Sequence, residues 1–395
     1  MIRDLSLNKY LLLSLVLACV IGALSGAAAS LLSDAVQITP QLQRLSDQIA
    51  HVGTSSTIVV VTSTKPITQP DVVVPVEGRP LLPVYPSAFV DRRNSSVLQL
   101  VKRGKNDGEP VASDRVIGSA VAVTSDGWIA TADTALAGLR LADMQVLVGG
   151  RVKSIERGIR DLSTGIVYIK ITASDLPTPA FVRASDVVSG SAVWRETSPR
   201  ALTPELIVAL RTPFQNDPVS SEKSGRRFIV TVSGSAKPGS ALWDGGGRLV
   251  GLLESADVSG GWRVIPAGPI GSSLAQYLQT GSIKRASLGV RAFDLSGLSL
   301  DIATSTLPDL GAWIHADKKT GAVAVNVKGP STKLLLDGDV IERIERDILD
   351  GTADLGERLF DYRPGVIVSI SGRRKGEAFQ TQITLGTESV SEPIK

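Results

Sequence analysis

The pattern of apolar and polar positions begins with one long apolar segment. Residues 11–32 contain no charged side chain, and a helix of this length spans roughly 33 Å, enough to cross the hydrocarbon core of a membrane. Arg3 and Lys9 precede it, which predicts a short cytoplasmic N terminus, 1–10, and an extracytoplasmic globular part, periplasmic or at the cell surface. The segment is therefore predicted to be a transmembrane helix or signal anchor. The alternative is a signal peptide cleaved near Ala27-Ala28-Ala29.

Residues 33–94 form a connector with two different patterns. Apolar residues between positions 34 and 50 recur at helical spacing, which predicts a short stalk helix. Residues 66–86 are dense in proline, which favours an extended segment over a packed helix. We expect the connector to be a spacer that lifts the globular part off the membrane; the alternative is a segment that makes oligomer contacts.

From Ser95 onward the apolar runs are short and separated by turns, which is typical of a strand-rich fold. Val97–Val101 is the first predicted strand, and Asp126-Gly127 marks a hairpin turn. Helical spacing returns over 270–279, and Gly281 is a typical helix stop. The predicted apolar face of this helix consists of Ile270, Leu274, Tyr277 and Leu278. A second, α+β region is predicted to begin near Ser282.

Composition narrows the classes of function. A chain of 395 residues with 43% hydrophobic and 21% charged residues is long enough for two or three domains with buried cores. The net charge is +3 with both signs interspersed, which argues against a nucleic-acid partner. The one cysteine, Cys19, lies in the N-terminal apolar run, so neither a disulfide framework nor a cysteine metal site is expected. No metal, nucleotide or organic cofactor is indicated.

One stretch suggests a chemistry. Pro238-Gly239-Ser240 lies between two strand-like runs, 228–232 and 249–253. This order resembles the nucleophile loop of trypsin-like serine proteases of the Deg/HtrA family. In that family Pro-Gly is followed by Asn or Asp, the catalytic Ser, two glycines and Pro-Leu. Here the two glycines and the later proline are missing, and about three residues are deleted. The resemblance makes Ser240 the candidate nucleophile and Gly239 the candidate oxyanion donor.

Two earlier stretches resemble the family blocks that contain the other two catalytic residues. Gly118 to Leu136 matches the histidine block, but the histidine position falls on Thr134, which cannot act as a general base near pH 7. Residues 161–171 match the aspartate block, and the aspartate position falls on Gly165. The resemblance therefore implies a degenerate, proteolytically inactive member, a pseudoprotease.

Other residues that could serve a catalytic site have simpler interpretations. The carboxylates nearest in sequence, Asp133 and Asp161, are interpreted as surface turn residues. The chain contains 2 histidines: His51 lies in the stalk, and His315 is expected to be a partly exposed strand residue. Neither is expected to be catalytic.

The C-terminal part resembles the PDZ domains attached to these proteases. Ser287-Leu288-Gly289-Val290 resembles their carboxylate-binding loop, whose backbone N–H groups hold a C-terminal carboxylate while the peptide adds as a strand to a sheet edge. Asp337 to Ile341 matches the PDZ turn and strand, and 351–360 is predicted as its helix. The alternative for residues 287–290 is an ordinary strand start whose peptide groove is blocked.

The resemblance covers about 95–387 and implies a mainly β chain. The predicted fold class is a chymotrypsin/trypsin-like double β-barrel over 95–281, then an α+β PDZ-like domain over 282–387 and a tail, 388–395. The implied function is peptide or protein binding, or protein quality control in the cell envelope, by a membrane-anchored protein. Its expected partners are protein C termini or unfolded segments. Trimers are common in the family, so a homo-trimer or assembly with active relatives is also implied.

Two other functions are left open by the sequence. The first is an active serine endopeptidase with a rewired site around Ser240, in which Lys237, three residues earlier, acts as the base. The second is a structural scaffold whose domains serve only oligomerisation. The ligand sequence and the oligomeric state are not determined by the residues.

Overall fold

The structure, a computed structural model, describes residues 96–104, 111–136, 138–183, 186–198, 201–210, 217–258, 260–298 and 307–394. The predicted N terminus 1–10, membrane segment 11–32 and connector 33–94, with Cys19 and His51, lie outside the described residues. Within the described part, no helix combines the length and apolar character that a membrane crossing requires.

The first barrel is built from six antiparallel strands. They are β1 (Val97–Lys102), β2 (Val116–Ala122), β3 (Trp128–Ala132), β4 (Met144–Val148), β5 (Arg151–Asp161) and β6 (Ile166–Ile171). Their order is β1-β2-β3-β6-β5-β4, and the pairing of β4 with β1 closes the barrel. Alternate strand residues such as Leu100, Ile129 and Ile169 are fully buried and fill its interior.

The second barrel follows the same plan with one extra strand outside it. Its segment contains β7 (Ala192–Ser198), β8 (Ala201–Ala209), β9 (Val219–Ser220), β10 (Phe228–Val230), β11 (Ala241–Trp243), β12 (Leu249–Ala256) and β13 (Trp262–Pro266). The closed barrel has the order β10-β13-β12-β11-β7-β8, and β9 is not part of it. These two closed barrels confirm the predicted double-barrel fold.

Helix α1 (Gly268–Thr280) leaves the second barrel and ends at Gly281, whose φ of 73° agrees with the predicted stop. Ile270 and Leu274 are buried, and Tyr277 packs against the same cluster. Leu278 was predicted for this face, but it is 50% exposed. The face is narrower than predicted because the first two turns and Tyr277 already cover the barrel surface.

The C-terminal region, residues 282–394, is α+β. Its elements are β14 (Lys284–Ser287), β15 (Arg291–Asp294), β16 (Ala312–Ile314), β17 (Val340–Ile344), β18 (Asp347–Ile348), α2 (Leu355–Leu359), β19 (Ile367–Arg374), β20 (Glu377–Thr384), β21 (Gly386–Ser389) and β22 (Ser391–Ile394). The main sheet has the order β20-β19-β17-β16-β15-β9, and β18 pairs with β17.

Helix α2 is shorter than the predicted helix over 351–360. It starts only at Leu355, after a capping box in which the Asp354 side chain accepts the Glu357 N–H and the Glu357 side chain accepts the Asp354 N–H. The residues before it form a turn, because the Asp350 carboxylate accepts the N–H and the hydroxyl of Thr352.

Two strands connect the C-terminal region with the barrels. Strand β22 pairs with β5 of the first barrel, from Ser391 opposite Asp161 to Ile394 opposite Gly158. Residues 388–395 were predicted to be a tail; within the described part, β21 ends at Ser389 and Ser391–Ile394 form β22. Strand β9, which lies between β8 and β10 in sequence, pairs with β15 and forms the edge strand of the C-terminal sheet.

Candidate functional site

The three positions that correspond to a catalytic triad lie on loops around one strand of the second barrel. Thr134 lies in a 3-10 turn after β3, Gly165 in the turn between β5 and β6, and Ser240 just before β11. The Thr134 hydroxyl donates to the backbone carbonyl of Glu254 on β12. The Ser240 carbonyl accepts the N–H of Leu253, the residue before Glu254. The fold thus brings all three predicted positions to the same part of β12.

An ion pair lies beside the Gly165 position. Arg227 Nε is 3.0 Å from Glu254 Oε2, and both side chains are largely buried. Arg227 Nη2 also donates to the carbonyl of Thr164 at 2.8 Å. A Cβ on Gly165 would lie 3.1 Å from Arg227 Nη2 and 3.5 Å from Glu254 Oε1. The neighbourhood in which a histidine and an aspartate would have to meet is therefore lined by a guanidinium and a carboxylate that are already paired.

The nucleophile loop is turned inward. Ser240 is 4% exposed, and its hydroxyl donates to the carbonyl of Lys237 at 2.7 Å. Its N–H also donates to that carbonyl, at 3.2 Å, while the N–H of Gly239 donates to the carbonyl of Leu253 at 2.7 Å. An oxyanion hole needs backbone N–H groups that point toward the reacting carbonyl oxygen. Here both candidate donors are used by carbonyls of the chain itself.

Close packing against the first barrel holds this conformation. Gly239 has a φ of 77°, and a Cβ there would lie 2.0 Å from the carbonyl oxygen of Ser119 and 2.2 Å from Thr131 Oγ1. The N–H of Ser119 donates to the carbonyl of Pro238 at 3.2 Å. Only glycine fits at position 239, so this residue serves the packing of the loop.

The Ser-Lys alternative is not supported by the contacts. The Lys237 ammonium donates to the backbone carbonyl of Val116, whereas the Ser240 hydroxyl points to the backbone of Lys237. A lysine base would have to accept the serine proton through its amine nitrogen. The two groups have different partners here, so the rewired site is not formed.

The neighbouring carboxylates differ from each other. Asp133 is partly exposed and accepts a hydrogen bond from Arg160 at 2.7 Å, as expected for a surface residue. Asp161, which was interpreted as a surface residue too, is fully buried. Its carboxylate accepts the N–H of Ser163 at 2.9 Å and faces Arg285 Nη2 at 3.1 Å. The interpretation was wrong because the partner of Asp161 comes from β14, far away in sequence.

His315 lies in the C-terminal region. It follows β16 directly, is partly exposed as predicted, and its ring stacks on Trp313 with 4.5 Å between ring centroids. Its Nδ1 lies 3.1 Å from a carboxylate oxygen of Asp337. Its two neighbours therefore belong to the C-terminal region: Trp313 to β16 and Asp337 to the turn before β17.

The predicted carboxylate-binding loop, residues 287–290, lies at the start of β15, and its groove is filled by the chain. Strand β9 pairs antiparallel with β15, with Ser220 opposite Arg291 and Val219 opposite Ala292. The N–H of Ser221 donates to the carbonyl of Val290 at 2.9 Å, and the N–H of Leu288 donates to Ser221 Oγ at 3.1 Å. The edge of β15 next to the loop is therefore paired within the chain.

The loop also faces a carboxylate. The Ser287 hydroxyl donates to Glu222 Oε2 at 3.2 Å, and the N–H of Gly289 donates to the Ser287 hydroxyl at 2.9 Å. Ser287, Leu288 and Val290 are buried, and Gly289 is partly buried.

Helix α2 forms the other wall of the groove. A Cβ on Gly356 would lie 1.9 Å from the carbonyl oxygen of Lys223, so the segment runs directly along the helix. The Asp354 carboxylate accepts the N–H groups of Gly225 at 2.7 Å and Arg226 at 2.9 Å. Burial raises the pKa of the Asp354 carboxyl, and the N–H groups that it accepts oppose this shift.

Several residues that shape the site were missed in the sequence. Arg227 precedes the run of β10 and Glu254 follows the apolar run of β12, so each is a charge at the end of an apolar strand. A charged residue at the end of an apolar run is also typical of an exposed strand end. No residue pattern near Arg227 or Glu254 indicates that the two form an ion pair. Glu222 likewise lies in a polar stretch without a distinguishing motif.

Comparison with known proteins gives the following relatives. No family model matches the chain. A serine protease Do-like HtrA of Lactobacillus helveticus is 23% identical over 327 residues, which cover 76% of this chain and 74% of that protein. The periplasmic pH-dependent serine endoprotease DegQ of Escherichia coli (strain K12) is 26% identical over 161 residues. This second match covers 39% of the chain and only 33% of DegQ.

Solved structures support the same fold. The HtrA-type protease AlgW with a tripeptide superposes with a TM-score of 0.55 at 21% identity, covering 78% of this chain and 98% of AlgW. AlgW with a decapeptide gives a TM-score of 0.50 at 20% identity, covering 76% and 98%. The curated proteins that this chain resembles in sequence are thus serine proteases of the Deg/HtrA type, and solved HtrA-type proteases share its fold.

Proposed function

We propose that this chain is a proteolytically inactive HtrA-like protein, a pseudoprotease, that holds polypeptide segments instead of cutting them. The main supporting observation is the nucleophile loop, in which the N–H of Gly239 and both the N–H and the hydroxyl of Ser240 donate to carbonyls of the chain. A serine nucleophile needs a base for its proton and donors for the oxyanion. The histidine and aspartate positions, Thr134 and Gly165, supply no base, and the loop supplies no free donor.

The binding part of the proposal rests on the edge of β15. An extended segment lies against this edge as an antiparallel strand, which is how sheets bind peptides by strand addition. We propose that the C-terminal region is a PDZ-like domain and that Ser287, Leu288, Gly289 and Val290 receive the carboxylate end of a ligand. AlgW, a structural neighbour, is described with a tripeptide and with a decapeptide. Peptides with free C termini and unfolded protein segments are the proposed ligands.

The remaining parts of the proposal come from the sequence. Residues 11–32 anchor the chain in a membrane, and the globular part lies outside the cytoplasm. Assembly as a homo-trimer or with active relatives belongs to the same proposal. Protein quality control in the cell envelope is the process in which such a binding protein would act.

Proteolysis by the full chain in detergent micelles tests the inactive part of the proposal. Fluorescently labelled, unfolded casein is incubated with the parent chain and with Ser240→Ala as the matched control. We expect the same background from both. Cleavage by the parent that disappears in Ser240→Ala would show an active serine site and refute inactivity.

A structural scaffold is the second candidate, and the filled groove favours it. If residues 219–222 never leave β15, no peptide can add to this edge. Anisotropy of the same labelled casein distinguishes the two, because a binding protein raises the anisotropy in a saturable way and a pure scaffold does not. Gly289→Val is the loop variant for this measurement: Gly289 has a φ of 68°, so a branched side chain distorts the loop.

A further inference from the structure

Strand β9 lies outside the closed barrel of the segment to which it belongs. The barrel closes without it, since β8 pairs directly with β10, with Ala209 opposite Ile229 and Ile207 opposite Val230. β9 has only two residues and lies outside the barrel. Its separation from β15 would therefore break no hydrogen bond between barrel strands.

The segment around β9 has the features of a ligand for the groove. Val219, Ser220 and Ser221 line a cavity of about 20 Å³ against α2, together with Leu355 and Gly356. A cavity of this size holds about one water molecule, so the segment fills the groove almost completely.

Residues 221 and 222 contact the loop 287–290 in the way that is proposed for the C terminus of a bound peptide. Ser221 gives its N–H to the carbonyl of Val290, the last residue of the loop, and its hydroxyl accepts the N–H of Leu288. The next residue, Glu222, brings a carboxylate to the Ser287 hydroxyl. A peptide that ended at a residue in the place of Ser221 would put its terminal carboxylate beside the same loop.

We propose that residues 217–222 are a built-in competitor of the groove, and that a peptide with a free C terminus binds by displacing β9 from β15. This inference rests on the proposed binding function of the C-terminal region. It adds that the site is closed in the free protein and opens only in exchange for a ligand. The apparent affinity for a ligand is then the intrinsic affinity multiplied by the open fraction.

Contacts of the segment give the size of the effect. Two groups of Ser221 bond to the loop: its N–H donates to the carbonyl of Val290, and its hydroxyl accepts the N–H of Leu288 and lies 3.3 Å from the Ser287 hydroxyl. Loss of the bonding of one such group changes an equilibrium by roughly two- to tenfold. Ser221→Pro removes both, because proline has neither the N–H nor the hydroxyl. The variant changes only the competitor, since the groove residues 287–294 stay the same.

The experiment uses the full chain in detergent and a fluorescein-labelled peptide with the sequence of residues 217–221 and a free carboxylate. Anisotropy titration should give a dissociation constant about four- to a hundredfold lower for Ser221→Pro than for the parent chain. Asp143→Asn is the matched control, because it removes only an exposed ion pair with Arg140 on the first barrel and should change the constant less than about twofold.

Amide hydrogen exchange of the unmodified chain gives a second, independent measurement. The N–H groups of Ser221 and Lys223 are hydrogen-bonded in the closed form, to Val290 and Ser220. A saturating amount of the peptide should make residues 219–223 exchange faster while the barrel strands stay protected. This readout remains valid if Ser221→Pro does not fold.

The outcomes separate this inference from the proposed function. Equal dissociation constants for parent and Ser221→Pro, or bound peptide with unchanged exchange over 219–223, overturn the competitor. Absence of binding to both chains overturns it too, together with the binding part of the proposed function. Ser240-dependent cleavage of casein would refute inactivity and leave the competitor unaffected.

Discussion

Replacing the two lost triad residues should not produce a protease. The perturbation is the double variant Thr134→His with Gly165→Asp, which returns the family's residue types to both positions while Ser240 stays in place. If sequence at the triad were the only defect, this variant would cleave peptide bonds. The contacts around the site indicate two further obstacles.

The first obstacle is at Gly165. Its φ is 80°, in the left-handed region, where a residue with a side chain costs about 1–2 kcal/mol. The new Cβ would lie 3.1 Å from Arg227 Nη2 and 3.7 Å from Ile265 Cδ1, and the new carboxylate would meet that of Glu254. The aspartate would thus compete for Arg227 instead of orienting a histidine.

The second obstacle is the oxyanion hole. Loss of one oxyanion donor typically reduces the rate by about 10²–10³-fold. The N–H groups of Gly239 and Ser240 are both bonded to carbonyls of the chain, so two donors are missing. If the two losses multiply, the rate stays about 10⁴-fold or more below that of a competent site.

The assay has two readouts on the double variant. Cleavage of fluorogenic casein reports turnover, and labelling by a fluorophosphonate reports whether Ser240 is an activated nucleophile. Circular dichroism confirms that the variant is folded. Turnover or labelling above background that is lost on adding Ser240→Ala would refute the reasoning, because it would mean that the loop rearranges to free its donors.

Three further predictions concern stability, measured by urea unfolding. Arg285→Met should lower the free energy of unfolding by about 3–5 kcal/mol, because it leaves the Asp161 carboxylate buried without its cation. Tyr168→Phe should reduce the loss of stability at alkaline pH. Burial raises the pKa of Tyr168 above 10.0 in the folded parent, so the folded parent keeps a proton that the unfolded chain releases. The free energy of unfolding of the parent therefore falls by about 1.4 kcal/mol per pH unit above pH 10. Gly239→Ala should lower the free energy of unfolding by more than about 3 kcal/mol, because its Cβ would lie 2.0 Å from a carbonyl oxygen. Gly234 has a similar φ and open space around it, so Gly234→Ala should lower the free energy of unfolding by only about 1 kcal/mol.

The barrels were predictable because their signals are local. Short apolar runs separated by Asp126-Gly127 and similar turns indicate strands, and Gly281 marks a helix end by its own conformational freedom. The strand-like runs on either side of Pro238-Gly239-Ser240, 228–232 and 249–253, contain β10 and the start of β12. These features depend on neighbours within a few residues, which a single sequence displays.

The interior of the site was not predictable, because its contacts join residues that are distant in sequence. Asp161 is buried only because Arg285 reaches it from β14. Arg227 and Glu254 form a pair only because two strands of a closed barrel bring them together. β9 has two residues, too few for any periodicity, so its addition to β15 has no sequence signal.

The anchors that follow β9 explain why the groove and the degenerate catalytic site can be tested separately. After Glu222, the Asp354 carboxylate holds the N–H groups of Gly225 and Arg226, and Arg227 is fixed by Glu254. A buried carboxyl group that accepts the N–H groups of Glu357, Gly225 and Arg226, together with a largely buried ion pair, is a stronger restraint than the hydrogen bonds of Ser221. Displacement of β9 should therefore stop before Gly225, leaving β10 in the barrel and the ion pair beside Gly165 in place. A ligand in the groove would then change the chain over only a few residues, and the loop of Ser240 would keep its inward conformation, in which the Ser240 hydroxyl donates to the carbonyl of Lys237.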